Sequence, residues 1–140
     1  MGDEIRKIAY FSMGVADKPG EAARILDILS QAGVNLLAFS GFPRGRRAQL
    51  DFVPEDLAAF RKAVTRAKVK VQPKKSGFLV QGEDRPGAIA EVLQKLAAAN
   101  INVTAIDAVS AGAGRYGAIL WVKPPDFSRA GKALKAVAAR

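Results

Sequence analysis

The sequence predicts an α+β fold of two βαββαβ units in tandem, and three observations lead there. The segment DKPGEAARILDILSQAGVN at 17–35 recurs as DRPGAIAEVLQKLAAANIN at 84–102, a period of 67 residues from Asp17 to Asp84. That exceeds the ~20–50 residues of solenoid repeats and has the length of a small independent fold. Each copy is preceded by one strand-like run and followed by two: IRKIAYFSMGV, VNLLAFSGF and AQLDFV, then FLVQG, INVTAIDAV and GAILWV. A chain of 140 residues, 49% hydrophobic and 25% charged, has a globular composition. Units of about 70 residues bury only about 60% of the surface their unfolded chains expose, so the halves are expected to pack together. The expected division is 1–73 and 74–140.

Ile, Tyr, Phe and Val make 5–15 a strand. Pro19 suits a first helical turn, and Asp17 and Glu21 place negative charge where the helix dipole favours it. Ala22, Ile25, Leu26 and Leu29 form one apolar stripe, which Gly33 terminates. Strands at 34–42 and 48–53 flank the turn PRGRR. A second helix over 54–67 shares Leu57, Phe60 and Val64 on one face. KVKV at 68–71 reads as a short strand, and QPKKSG at 72–77 as the interdomain linker.

The second half repeats this order: a strand at 78–82, a helix from Pro86 to Ala99, strands at 101–109 and 117–122, and a helix after PPD. Ile89, Val92, Leu93 and Leu96 reproduce the first stripe, while Leu50 and Phe52 correspond to Ile119 and Trp121 after a turn two residues longer. The final strand has no counterpart. The place beside the second unit's first strand is therefore expected to be filled by a strand of the other half or of another subunit, since an empty edge invites aggregation. On GAILWV both alternating faces are apolar, which predicts a covered second face, an interface between domains or subunits.

Composition narrows the chemistry. The chain has no cysteine and no histidine, so thiolate nucleophiles, disulfides, the commonest general base and the commonest metal ligands are missing. An enzyme is not expected, nor a metal or other cofactor. A net charge of +9 attracts nucleic acid, anionic metabolites or an acidic partner. With no run of about 18 apolar residues and no signal-peptide core in MGDEIRK, a cytoplasmic protein without membrane contact is the expectation.

Both copies carry Asp-x-Pro-Gly (17–20 and 84–87), Ala and two Leu at matching helix positions (Ala23, Leu26, Leu29; Ala90, Leu93, Leu96), and Val-Asn or Ile-Asn opening the next strand (Asn35, Asn102). This pattern resembles the ACT domain family, and the whole chain looks like two ACT domains in tandem. The resemblance implies ferredoxin-like units, each an antiparallel sheet with helices on one face, that pair side by side. It also implies a regulatory module that binds an amino acid or similar effector where two units meet and reports to a separate regulated protein, with a homodimer as the expected assembly. The ligand-binding set it implies is Asp17, Lys18, Pro19, Gly20 and Asn35 in one copy, and Asp84, Arg85, Pro86, Gly87 and Asn102 in the other.

The residue chemistry fits a zwitterion. Gly20 and Gly87 lack a Cβ, so amides at the helix start can be approached by a carboxylate. Asp17 or Asp84 can accept from an ammonium, and Asn35 or Asn102 can donate and accept. Some family members carry histidine two residues before the Asp position, where Val15 and Gly82 stand here, and some carry Asn in place of the Asp. The bland reading of the same residues is a good helix start and a satisfied turn.

Two other functions compete. RNA-recognition modules share the βαββαβ topology, and Arg44, Arg46 and Arg47 sit on one hairpin; but GRYGAILWV lacks their aromatic spacing, which argues against nucleic acid. A ligand-free adaptor or oligomerisation module is the other. SAGAGR has the glycines of a phosphate loop without Gly-Lys-Ser/Thr and reads as a hairpin turn.

Overall fold

A computed structural model describes residues 3–138. The order is β1 (Glu4–Ala16), α1 (Glu21–Gln31), β2 (Leu36–Arg44), β3 (Arg47–Pro54), α2 (Leu57–Arg66), β4 (Lys75–Glu83), α3 (Ala88–Ala98), β5 (Val103–Gly112), β6 (Arg115–Val122) and α4 (Phe127–Leu134), with one 3-10 turn at Pro124–Asp126. Contacts gather Ala9–Lys75 into a first unit, and the chain up to Ile8 with Ser76 onwards into a second. This differs from a 1–73 and 74–140 division chiefly at the chain start, because Ile5 is buried in the second core.

In the first unit β3 pairs antiparallel with both β1 and β2. Phe11, Met13 and Val15 of β1 and Leu50 and Phe52 of β3 meet Ile25 and Leu29 of α1 and Phe60 and Val64 of α2. In the second, β6 pairs antiparallel with β4 and β5. Phe78, Val80, Ala118, Leu120 and Val122 meet Val92 and Leu96 of α3 and Leu134 of α4. Each fully buried aliphatic or Phe side chain stabilises its unit by about 1.5–3 kcal/mol. The repeat extends into the cores: Phe11 stacks on Phe60 with ring centroids 4.8 Å apart, and Phe78 stacks on Phe127 at 4.8 Å.

The pairing corrects one correspondence. Phe11 faces Phe52 and Phe78 faces Leu120, so Phe52 is matched by Leu120 and Leu50 by Ala118, not by Trp121 and Ile119. A shift of one residue reverses the face. Ile119 and Trp121 point away from the helices, yet both are buried. The expected longer second turn is also absent: Gly45–Arg46 and Ala113–Gly114 each join their strands in two residues. The corrected match leaves one extra residue, and it lies within β5, where the register shifts between Ser110 and Gly112.

KVKV is not a ladder strand. Lys68 has φ 57°, and the amides of Lys68 and Val69 bond back to Thr65 and Val64, closing α2. The tail makes one backbone bond to β1, from Gln72 N–H to the Ser12 carbonyl at 2.8 Å, and Pro73 offers no donor. The segment does have a counterpart. Lys135 has φ 53°, Ala136 N–H bonds to the Gly131 carbonyl, and Val137 bridges Arg6 in parallel. Within the second unit the place beside β4 is taken by the start of β1, residues 4–8, whose Arg6 Nη2 donates to Gln81 Oε1 at 3.4 Å. The predicted linker 72–77 is shortened because β4 begins at Lys75.

Candidate functional site

The repeated Pro-Gly is a turn, not a first helical turn: α1 begins at Glu21 and α3 at Ala88, each two residues after the proline. Gly20 (φ 91°, ψ −14°) and Gly87 (φ 83°, ψ 3°) take the third position of type II β-turns, and Pro19 and Pro86 the second. Glu21 N–H reaches the Lys18 carbonyl at 3.4 Å and Ala88 N–H reaches that of Arg85 at 3.2 Å. Backbone conformation demands these glycines, since a Cβ at either position would meet nothing within 4 Å.

The turns leave helix starts of a particular kind. The Asp56 side chain caps α2 by accepting from Ala59 N–H at 3.1 Å, whereas α1 and α3 have a glycine N-cap and no side-chain cap. Helix geometry gives the amides of Ala22, Ala23, Ile89 and Ala90 no partner within the helix. They form the positive end of the helix dipole.

Beside the first loop lies a cavity of about 300 Å³, lined by Asp17, Lys18, Glu21, Ala22 and, from β2, Phe39, Gly41 and Phe42. Among the described residues nothing hydrogen-bonds or ion-pairs with the Asp17 or Lys18 side chains, and Asp17 is exposed. Glu21 is held by Arg24 at 3.2 Å, and this bond keeps its carboxyl below the usual range.

The second loop lines a cavity of about 410 Å³ with Asp84, Arg85, Gly87, Ile89, Val109, Ser110 and Tyr116. Here the side chains are engaged. Ser110 Oγ donates to Asp84 Oδ2 at 3.0 Å. Arg85 donates to Glu91 at 2.8 Å, to the Glu83 carbonyl at 2.9 Å and to Asp3 at 3.3 Å. Asp3 lies over Gly82, where a Cβ would overlap its carboxylate and crowd Tyr116. Bonds to Asp3 and then to Glu91 raise the Arg85 pKa. Tyr116 is 5% exposed, and burial, then the adjacent Asp3, pushes its pKa up to about 12. Sequence reasoning missed Asp3 and Tyr116; the available signal was Gly82 inside a strand, a mark of close approach.

The asparagines stand elsewhere. Asp17 follows Ala16, which faces Arg47, while Asn35 precedes Leu36, which faces Pro54. Those β3 residues are roughly 23 Å apart along the strand. The helix returns the chain to the other end of the sheet, so Asn35 does not join Asp17 within a unit. Asn35 Nδ2 instead donates to Glu55 Oε2 at 2.9 Å. Asn102 and Asp84 are separated in the same way, by the run of β6 from Val122 to Arg115.

Among the described residues no three His, Cys, Asp or Glu side chains form a metal-binding group, and no helix is long and apolar enough to cross a membrane. Among curated proteins nothing matches this chain. The fold is similar to that of protein BT0572 from Bacteroides thetaiotaomicron, with TM-score 0.79 and 17% identity over 95% of this chain and 88% of that one. It is also similar to the regulatory subunit of aspartate kinase from Thermus thermophilus in a ligand-free form, with TM-score 0.64 and 18% identity over 96% and 95% of the two chains. At these identities the likeness is one of fold. Residues 78–140 match the sequence model of the ACT domain, and residues 9–75 repeat its turn, helix starts and stacked phenylalanines. By that match, residues 78–140 form an ACT domain.

Proposed function

We propose that this protein is a non-enzymatic regulatory module that binds a small metabolite, an amino acid foremost, at its strand-to-helix loops. One observation carries the reading: in both copies the Pro-Gly turn leaves a helix start without a side-chain cap beside a carboxylate at the edge of a cavity, while α2 is capped by its own Asp56. The free amides suit an α-carboxylate, and Asp17 or Asp84 suits the ammonium. Lys18, Pro19, Arg85 and Pro86 shape the two loops. Asn35 and Asn102 enter only as residues offered to a loop of a second copy of the chain, as in a dimer.

The ACT match and the fold shared with an aspartate kinase regulatory subunit support a regulatory role. A ligand that binds only the ordered loop shifts the population toward that state, and a separate partner protein in the cytoplasm senses it. The burial of Tyr116 and Trp121, 5% and 6% exposed, weighs against base stacking on the third strand. Thermal unfolding with each common amino acid at millimolar concentration tests the reading. At about 100 times its dissociation constant a ligand adds roughly 2.7 kcal/mol. A rise in Tm with one or two amino acids, weakened by Asp17→Ala while a simple carboxylate is unaffected, is expected; no rise with any of them overturns it.

A further inference from the structure

The sheet face of the first unit turned away from α1 and α2 is polar, and its polar groups are organised. Ser12, Gly14 and Ala16 on β1 alternate with the core residues Phe11, Met13 and Val15, and they face Asp51, Gln49 and Arg47 on β3. Asp51 and Ser12 are buried. Ser12 Oγ donates to Asp51 Oδ1 at 2.7 Å and Gln49 Nε2 donates to the same oxygen at 2.9 Å. Gln49 Oε1 in turn accepts from Arg44 Nη1. Asp51 is thus satisfied from within the sheet, and its charge also helps raise the pKa of Tyr10, after burial.

Above this chain of bonds is a cavity of about 510 Å³, within the ~300–1,000 Å³ of small-molecule sites. Arg44, Arg47, Lys75, Gln49, Gln72 and Ser12 line it, and Asp51 does not. Arg44 and Arg47 are direct cross-strand partners, an arrangement of like charges that destabilises a hairpin unless something neutral or negative intervenes. Each guanidinium keeps donors beyond those already used, and among the described residues nothing bonds to the Lys75 ammonium. Three cations against one buried carboxylate leave a surplus of two positive charges.

We infer that this face carries a second ligand site, distinct from the strand-to-helix loops, for a phosphate dianion held by Arg44, Arg47 and Lys75. The dianion is free phosphate or the phosphoryl group of a small metabolite. Arg44 is held in place through Gln49 and Asp51, and Arg47 by its bond to the Gly14 carbonyl at 3.4 Å. Lys75, which lines the cavity from the start of β4, is the third contact. Arg46, on the same hairpin, does not line the cavity.

The test is titration calorimetry on the full chain with inorganic phosphate and with glycerol 3-phosphate, at constant ionic strength set by sodium chloride. Saturable binding is expected, weakened about tenfold or more by Arg47→Gln and by Lys75→Gln and unchanged by Arg46→Gln and Asp17→Ala. Tighter binding of the ester assigns a metabolite, and equal binding assigns free phosphate. Loss in Arg46→Gln as large as in Arg47→Gln overturns the site in favour of diffuse surface charge. So does a short RNA that binds where neither small anion does. Because Asp17→Ala affects only the loops, failure here and failure of the amino-acid reading are separately visible.

Discussion

The loops at 17–20 and 84–87 share a turn type, a glycine at φ 91° or 83° and a helix without a side-chain cap, yet their side chains have opposite fates. Around the first, Asp17 and Lys18 are exposed and face a cavity bounded by β2. Around the second, Arg85 is tied to Glu91 and to Asp3, and Asp84 receives Ser110. Local sequence makes two equivalent backbones; neighbours at separations of 6, 26 and 82 residues decide which loop has side chains to offer a ligand. On the proposed reading the first loop is the better amino-acid site, because Arg85 of the second is already held by the Asp3 carboxylate.

The largest expected effect tests how far the equivalence reaches. Phe60→Ala and Phe127→Ala remove the matching halves of the two stacked pairs; the fully buried Phe60 is expected to cost about 3–5 kcal/mol in urea unfolding and the partly buried Phe127 about 2–3 kcal/mol. A loss under about 1 kcal/mol in either would show that the two cores are not alike. Next come Gly20→Ala and Gly87→Ala, which force a side chain into a left-handed conformation at about 1–2 kcal/mol each. The stability losses should match, while amino-acid affinity should fall only for the Gly20 variant. Equal loss of binding in both would restore the symmetry of the sites.

A smaller effect comes from freeing the second loop. Asp3→Ala, or Gly82→Ala through overlap with the Asp3 carboxylate, is expected to raise the calorimetric stoichiometry of amino-acid binding from about one to about two. An unchanged stoichiometry would mean that Asp3 does not restrain the loop. The mildest test is optical. Tyr116 is pushed up to about 12 in the fold, against about 10 unfolded, so burial favours its neutral form. Its stabilising contribution is fully present below about pH 10 and is lost as pH rises through the folded value. Absorbance titration should show its phenol ionising late, and earlier in Asp3→Ala, though burial, the larger cause, persists.

Much of this was legible before any coordinates. Periodicity placed Ile25 and Leu29, Val92 and Leu96 on buried helix faces, since a 3.6-residue period leaves one stripe to cover. Register was harder: matching Leu50 to Ile119 instead of Ala118 came from aligning apolar runs on a strand whose two faces are both buried, where alternation carries no sign of direction. The tail at 68–71 reads as a strand because its Val residues alternate, and the tail at 135–138 gives no such sign of being its counterpart; the left-handed Lys68 and Lys135 that close the helices have no local signature.

By itself the sequence determined the two units, the apolar faces of their helices, and a chain without histidine or cysteine. These rest on interactions a few residues long, where steric limits on φ and ψ and side-chain period decide the outcome. Only the tertiary structure decided that Asn35 and Asn102 stand at the far end of the sheet from their own Asp, that Asp3 meets Arg85, and that Arg44 faces Arg47 above Gln49. Those are contacts between segments distant along the chain, and their geometry follows from how strands and helices pack, which no short window of residues contains.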